Sequence, residues 1–158
     1  MKKLICTLGL LALAAVGSAA AAVTVTFAAP EKMTDVPRYP PDREWMETQL
    51  REHLGKLAEK LPAGQELTVE FLDIDMAGDV FPRVAVRDVR VMKGDVDWPR
   101  MHLRYAITRD GKVISQGESK ISDSNYLMSG NRYDGEMYRY EMELLDDWFK
   151  KEVLKKTR

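Results

Sequence analysis

The sequence predicts an α+β fold, a two-layer sandwich in which about five strands form a mixed or antiparallel sheet with two helices on one face. Three observations carry this expectation. Met101 to Ile121 alternates apolar and polar residues on either side of Asp110-Gly111, the signature of a long hairpin. Two stretches, one running to Leu61 and one following Asp134, space their apolar residues by three and four, as amphipathic helices do. The elements follow the order β, α, β, β, β, β, α, so the first helix crosses between strands and sets the first strand parallel to a neighbour.

The hairpin register is argued from side-chain sorting. A two-residue Asp110-Gly111 turn would set Ile107 opposite Ile114 and continue the apolar face as Gln116, Glu118 and Lys120. A three-residue loop of Arg109, Asp110 and a left-handed Gly111 instead sets Ile107 opposite Val113, Tyr105 opposite Ser115, Leu103 opposite Gly117 and Met101 opposite Ser119. A slip of one residue inverts every side chain, so the sorting selects the second register. Ser115, Gly117 and Ser119 then leave room on the core face for a helix to lie close.

In chain order, Lys2-Lys3, the apolar run Leu4 to Val16 and the small residues Gly17 to Ala22 form the three parts of a secretory signal peptide, expected to be cleaved near Ala20 to Ala22. A membrane anchor needs about 20 apolar residues and a following charge cluster. The strand-like Val23 to Phe27 comes next instead, so residues 1–22 are read as the signal peptide and 23–158 as a single α+β domain. Cys6 leaves with the signal, and the mature chain has no cysteine. With Lys2 and Lys3 lost from 24 basic residues against 25 acidic ones, the mature chain carries a modest acidic excess and no nucleic-acid footprint. No transmembrane segment is expected in the mature chain, and the compartment expected is the periplasm, with full secretion as the alternative.

Thr24 to Ala28 reads as the first strand, and Glu31 to Pro41, with three prolines, as a surface loop. Asp42 is the expected N-cap of a helix whose stripe is Met46, Leu50, Leu54, Leu57, Ala58 and Leu61, with His53 at its boundary. Leu67, Val69 and Phe71 alternate in one phase and Leu72, Ile74 and Met76 in the other, which predicts a bulge or a stretch buried on both faces. Val80 to Met92 is a second β segment in which Val84 and Val86 give way to Val89 and Val91. Ser122 to Gly135 is polar and turn-rich. Asp134 is the expected cap of a last helix that directs Met137, Tyr140 and Leu144 to the core, with Leu145, Trp148, Phe149 and Val153 extending its apolar stripe.

VTFAAP (25–30), Thr34-Asp35-Val36, LPAGQ (61–65), DIDMAG (73–78), Val89-Arg90-Val91, Asp110 to Val113, Asn131-Arg132-Tyr133 and LLDDWF (144–149) together resemble the bacterial secreted family called domain of unknown function 3016. The resemblance spans nearly the whole mature chain. It implies a small exported protein and brings no catalytic residue or cofactor with it.

The chemistry legible in the residues is sparse. Without a cysteine or a Gly-x-Ser-x-Gly elbow, and with only His53 and His102 as bases, nucleophilic catalysis is disfavoured and no catalytic residue is assigned. His102 is expected to face Glu118, with Ser119 pointing to the other side of the sheet. Asp73, Asp75 and Asp79 could gather a hard cation, and a small hydrolase using them, metal-assisted, is the alternative function. The stronger expectation is that Arg83, Arg87 and Arg90 neutralise them, so no metal or cofactor is assigned. The segment from Tyr126 to Tyr140 is rich in tyrosine and arginine, side chains suited to glycan, peptide or protein partners. Arg132, Tyr133, Tyr138 and Arg139 are the expected binding surface, and the expected function is a binding or accessory module for a cell-envelope component, a protein or a glycan.

Overall fold

The computed structural model describes residues 22–157 apart from 82–88, 95, 129 and 156. Residues 1–21 of the proposed signal peptide, together with Arg83, Val84, Val86 and Arg87, lie outside the described residues. Strands β1 (Val23–Phe27), β2 (Gln65–Asp75), β5 (Arg100–Arg109) and β6 (Lys112–Ser122) form one sheet in the order β1-β2-β5-β6. Among the described residues, β3 (Asp79–Phe81) and β4 (Val89–Val91) pair only with each other, so this part of the second β segment is a separate ribbon and the main sheet has four strands. Helices α1 (Pro40–Ala58) and α2 (Arg139–Trp148) complete the fold. A π-helical turn, Phe149–Val153, prolongs α2.

β1 pairs parallel to β2, as the α1 crossover requires, and the remaining pairings are antiparallel. Phe27 lies beside Phe71 in register, their rings stacked with centroids 4.9 Å apart. Alternation in β2 buries Leu67, Val69 and Phe71, and then the phase changes. The register shifts between Phe71 and Asp73, so Leu72 is the bulged residue and Ile74 returns to the core. This is the bulge the sequence pattern called for.

α1 begins at Pro40, with Pro40 and Pro41 in its first turn, so Asp42 is already helical and does not cap. Proline suits the first helical position because its missing N–H has no acceptor to lose and its φ is preset. Met46, Leu50, Leu54, Leu57 and Ala58 are buried, and His53 joins them at 4% exposure. They meet Leu67, Val69, Phe71, Leu103, Tyr105 and Ile107 from the sheet and Leu145, Trp148 and Phe149 from α2 in one core. Each fully buried large side chain contributes roughly 1.5–3 kcal/mol, so this contact of helices and sheet is the main source of stability.

The hairpin corrects the expected register. Asp110 and Gly111 both have positive φ, at 52° and 73°, and Arg109 pairs with Lys112 around a two-residue turn. The register then shifts after Thr108–Val113, so that Ile107 pairs with Ser115, Tyr105 with Gly117, Leu103 with Ser119 and Met101 with Ile121. The extra residue in β6 restores the face sorting that a plain two-residue turn would have inverted. Val113 and Ile114 are left exposed at 56% and 45%. The turn chemistry and the sorting are satisfied together, with Tyr105 rather than Leu103 over Gly117.

Candidate functional site

The segment between β6 and α2 is held by α2 and by the loops before β5. Its polar residues divide into two groups that face different ways. Tyr133, half-buried, and Arg132, whose side chain is half exposed, join a network with His53 of α1 and Glu143 and Asp146 of α2. Asp146, 2% exposed, accepts from His53 Nε2 at 2.9 Å and Tyr133 Oη at 3.0 Å on one oxygen, while Arg132 Nη2 lies 3.0 Å from the other. Arg132 also donates to Glu143 Oε1 at 2.5 Å. The Tyr133 ring meets the His53 ring edge-on at 5.0 Å. Burial pushes the His53 pKa below its ordinary 6.5, against the upward pull of Asp146. Burial, followed by the bond to Asp146, pushes the Tyr133 hydroxyl up to about 12. Three donors converging on a buried carboxylate make an anchor for the segment.

The second group faces outward. Tyr126, Leu127, Asn131, Asp134, Arg139 and Tyr140 line a shallow depression of about 250 Å³. Its floor is rigid: the Tyr126 and Tyr140 rings meet edge-to-face at 4.8 Å, and Tyr126 Oη donates to Asp97 at 2.9 Å. Burial and that bond raise the Tyr126 hydroxyl to about 12. The Arg139 guanidinium lies 4.6 Å from the Tyr140 ring centroid and bonds both the Tyr140 hydroxyl and Asp134. Asn131 Nδ2 donates to the Arg139 carbonyl, and its Oδ1 accepts from the Tyr133 N–H. Asn131 and Asp134 thus edge the depression while the two residues between them are tied to Glu143 and Asp146.

Of the four residues expected to form one patch, Arg132 and Tyr133 belong to the network around Asp146 and Arg139 belongs to the depression. The exposure expected for Tyr138 is corrected: it is 3% exposed, with its ring 5.4 Å from Trp45. Residues 132–135 and 137–138 form turns, and α2 starts at Arg139 with Tyr138 as the N-cap residue. Helical spacing therefore does not extend back to Asp134: Met137 is left at 49% exposure and Tyr138 is inside, while Tyr140 and Leu144 are buried as expected. Asp134 pairs with Arg139 instead of capping.

His53, Glu143 and Asp146 were missed as members of a site. The signal available was that His53 and Asp146 fall within apolar stripes, where a polar side chain needs a partner. Glu141 shows the same signature at 1% exposure, accepting from the Ala77 N–H at 2.9 Å and Arg90 Nη2 at 2.7 Å. That pair ties the β3–β4 ribbon to α2.

The three aspartates of the alternative reading do not converge. Asp73 accepts from the Thr34 N–H and hydroxyl, Asp75 from Arg100 at 2.5 Å, and Asp79 from Lys93. Of the expected arginines, Arg90 serves Glu141 instead, and Arg83 and Arg87 lie outside the described residues. Among the described residues no group of three His, Cys, Asp or Glu side chains is placed to hold a metal ion. His102 bonds Glu118 at 2.6 Å, although Lys120 is its direct cross-strand neighbour. No helix among the described residues is long and apolar enough to cross a membrane.

No curated protein and no solved structure matches the chain. A family model described as "Protein of unknown function (DUF3016)" matches residues 21–151, which include both the anchor and the depression, and the chain belongs to that family.

Proposed function

We propose that this protein is an exported accessory module that binds a glycan of the cell envelope in the depression beside Arg139. Export rests on Lys2-Lys3, the apolar run from Leu4 to Val16 and the small residues that follow, the three parts of a cleavable signal. The periplasm, or release beyond it, follows from that signal.

The observation that carries the binding reading is the fixing of Arg139. Its guanidinium is held over Tyr140 and between Asp134 and the Tyr140 hydroxyl, so a planar set of donors is presented without the usual loss of side-chain freedom. Asp134 and Asn131 add acceptors and donors at the same rim, and Leu127, 45% exposed, adds an apolar edge. Neighbouring hydroxyls of a sugar ring need such alternating donors and acceptors, with an apolar edge for the ring carbons. A protein partner would call for a larger and flatter apolar surface than this depression offers. Binding of the purified protein to an array of envelope saccharides, wild type against Arg139→Ala, tests the reading. Saturable binding that the substitution weakens supports it.

A further inference from the structure

A second cleft, of about 320 Å³, lies at the far end of the sheet and includes two of the aspartates considered above. The strand registers build it. Asp73 on β2 pairs with His102 on β5, which pairs with Lys120 on β6, and two residues along Asp75 pairs with Arg100 and Arg100 with Ser122. Strand alternation sets these six side chains on one face, opposite the face on which Ile74, Met101 and Leu103 are buried. The result is a grid with an acidic column on β2, Arg100 and His102 on β5 and a donor column on β6.

Partners within the fold already hold most of the grid. Arg100 donates to Asp75 and, at 3.0 Å, to the Val96 carbonyl, with its guanidinium 4.5 Å from the Trp98 ring centroid. His102 is taken by Glu118, and Asp73 by Thr34. The side chains of Lys120 and Ser122 make no hydrogen bond or ion pair with a described residue. Across the cleft, each carboxylate keeps acceptor capacity beyond the bonds it makes, because an ionised carboxylate offers about four lone-pair sites.

Neighbouring strands lie about 4.8 Å apart, so the acidic and donor columns face each other across roughly 10 Å. The ammonium and carboxylate of a single amino acid sit on one carbon and cannot reach both columns. An extended chain advances roughly 3.3–3.6 Å per residue, and three residues match the span. We propose that this cleft binds a short peptide of about three residues through its free ends, the terminal ammonium at Asp73 and Asp75 and the terminal carboxylate at Lys120 and Ser122.

Trialanine is the probe. Titrated into the purified protein and followed by NMR, it should shift the amide signals of residues 100–102 and 120–122 saturably. N-acetyl-trialanine and trialanine amide should each bind about tenfold more weakly, because each lacks one charge-assisted contact. Lys120→Gln should weaken trialanine by about the same factor and leave the melting temperature unchanged, since its side chain bonds none of the described residues. Equal binding by the blocked peptides, equal binding by Lys120→Gln, or no saturable shift up to roughly millimolar trialanine, the weak end of specific binding, would overturn the proposal.

Discussion

Tyr105 lies directly across the hairpin from Gly117, and a Cβ at Gly117 would stand 3.0 Å from its Cε1 and 3.1 Å from its Oη. The ring cannot easily withdraw, because it is 2% exposed and meets Trp148 edge-on at 5.5 Å. Gly117→Val is therefore expected to destabilise the protein by about 1–3 kcal/mol despite valine's preference for strands. In a Tyr105→Leu background most of that cost should vanish, a coupling that chemical denaturation of the two single variants and the double variant measures. Additive effects would show that the ring and the glycine do not limit each other.

His53 makes stability depend on pH in a direction that can be worked out. Burial holds its pKa in the folded chain below 6.5, so the unfolded chain takes up a proton that the folded chain resists. Stability should be full above pH 6.5 and fall as the pH drops below it, toward the lower value of the folded state. Melting temperatures taken between about pH 7 and pH 5 should decline, and His53→Gln, which can still donate to Asp146, should flatten the decline. The same slope in the variant would place the titrating group elsewhere.

Arg132 and Tyr133 should behave as structural residues. Tyr133→Phe removes one donor from buried Asp146 and is expected to cost about 0.5–1.5 kcal/mol. Arg132→Ala removes bonds to charged groups worth about 1.5–3 kcal/mol, reduced because half of its side chain faces solvent. Thermal denaturation checks both, and unchanged midpoints would show that the network does not anchor the segment.

The legible parts of the fold were those governed by local periodicity. The α1 stripe, the phase change around Leu72 and the parallel β1 all follow from spacing and connection rules. The hairpin failed in one particular: two-residue turn and face sorting looked incompatible, and only a bulge in β6, unmarked by any glycine, reconciles them. The candidate surface was legible as a segment but not residue by residue. Whether Tyr138 faces in or out depends on where α2 starts, and element boundaries are weakly encoded. The pairing of His53 with Asp146, 93 residues apart, arises only when two helices lie side by side on the sheet.

The central claim is that the depression beside Arg139 binds an envelope glycan, and the most direct measurement is a saccharide array probed with wild type, Arg139→Ala and Arg104→Ala. Arg104 is a control on the polar face of the sheet, where it bonds Glu70 and Glu118. Wild type and Arg104→Ala should bind the same saccharides, and Arg139→Ala should bind them at least about tenfold more weakly, with its melting temperature kept. Wild type binding no saccharide, or Arg139→Ala binding the same set equally well, would contradict it.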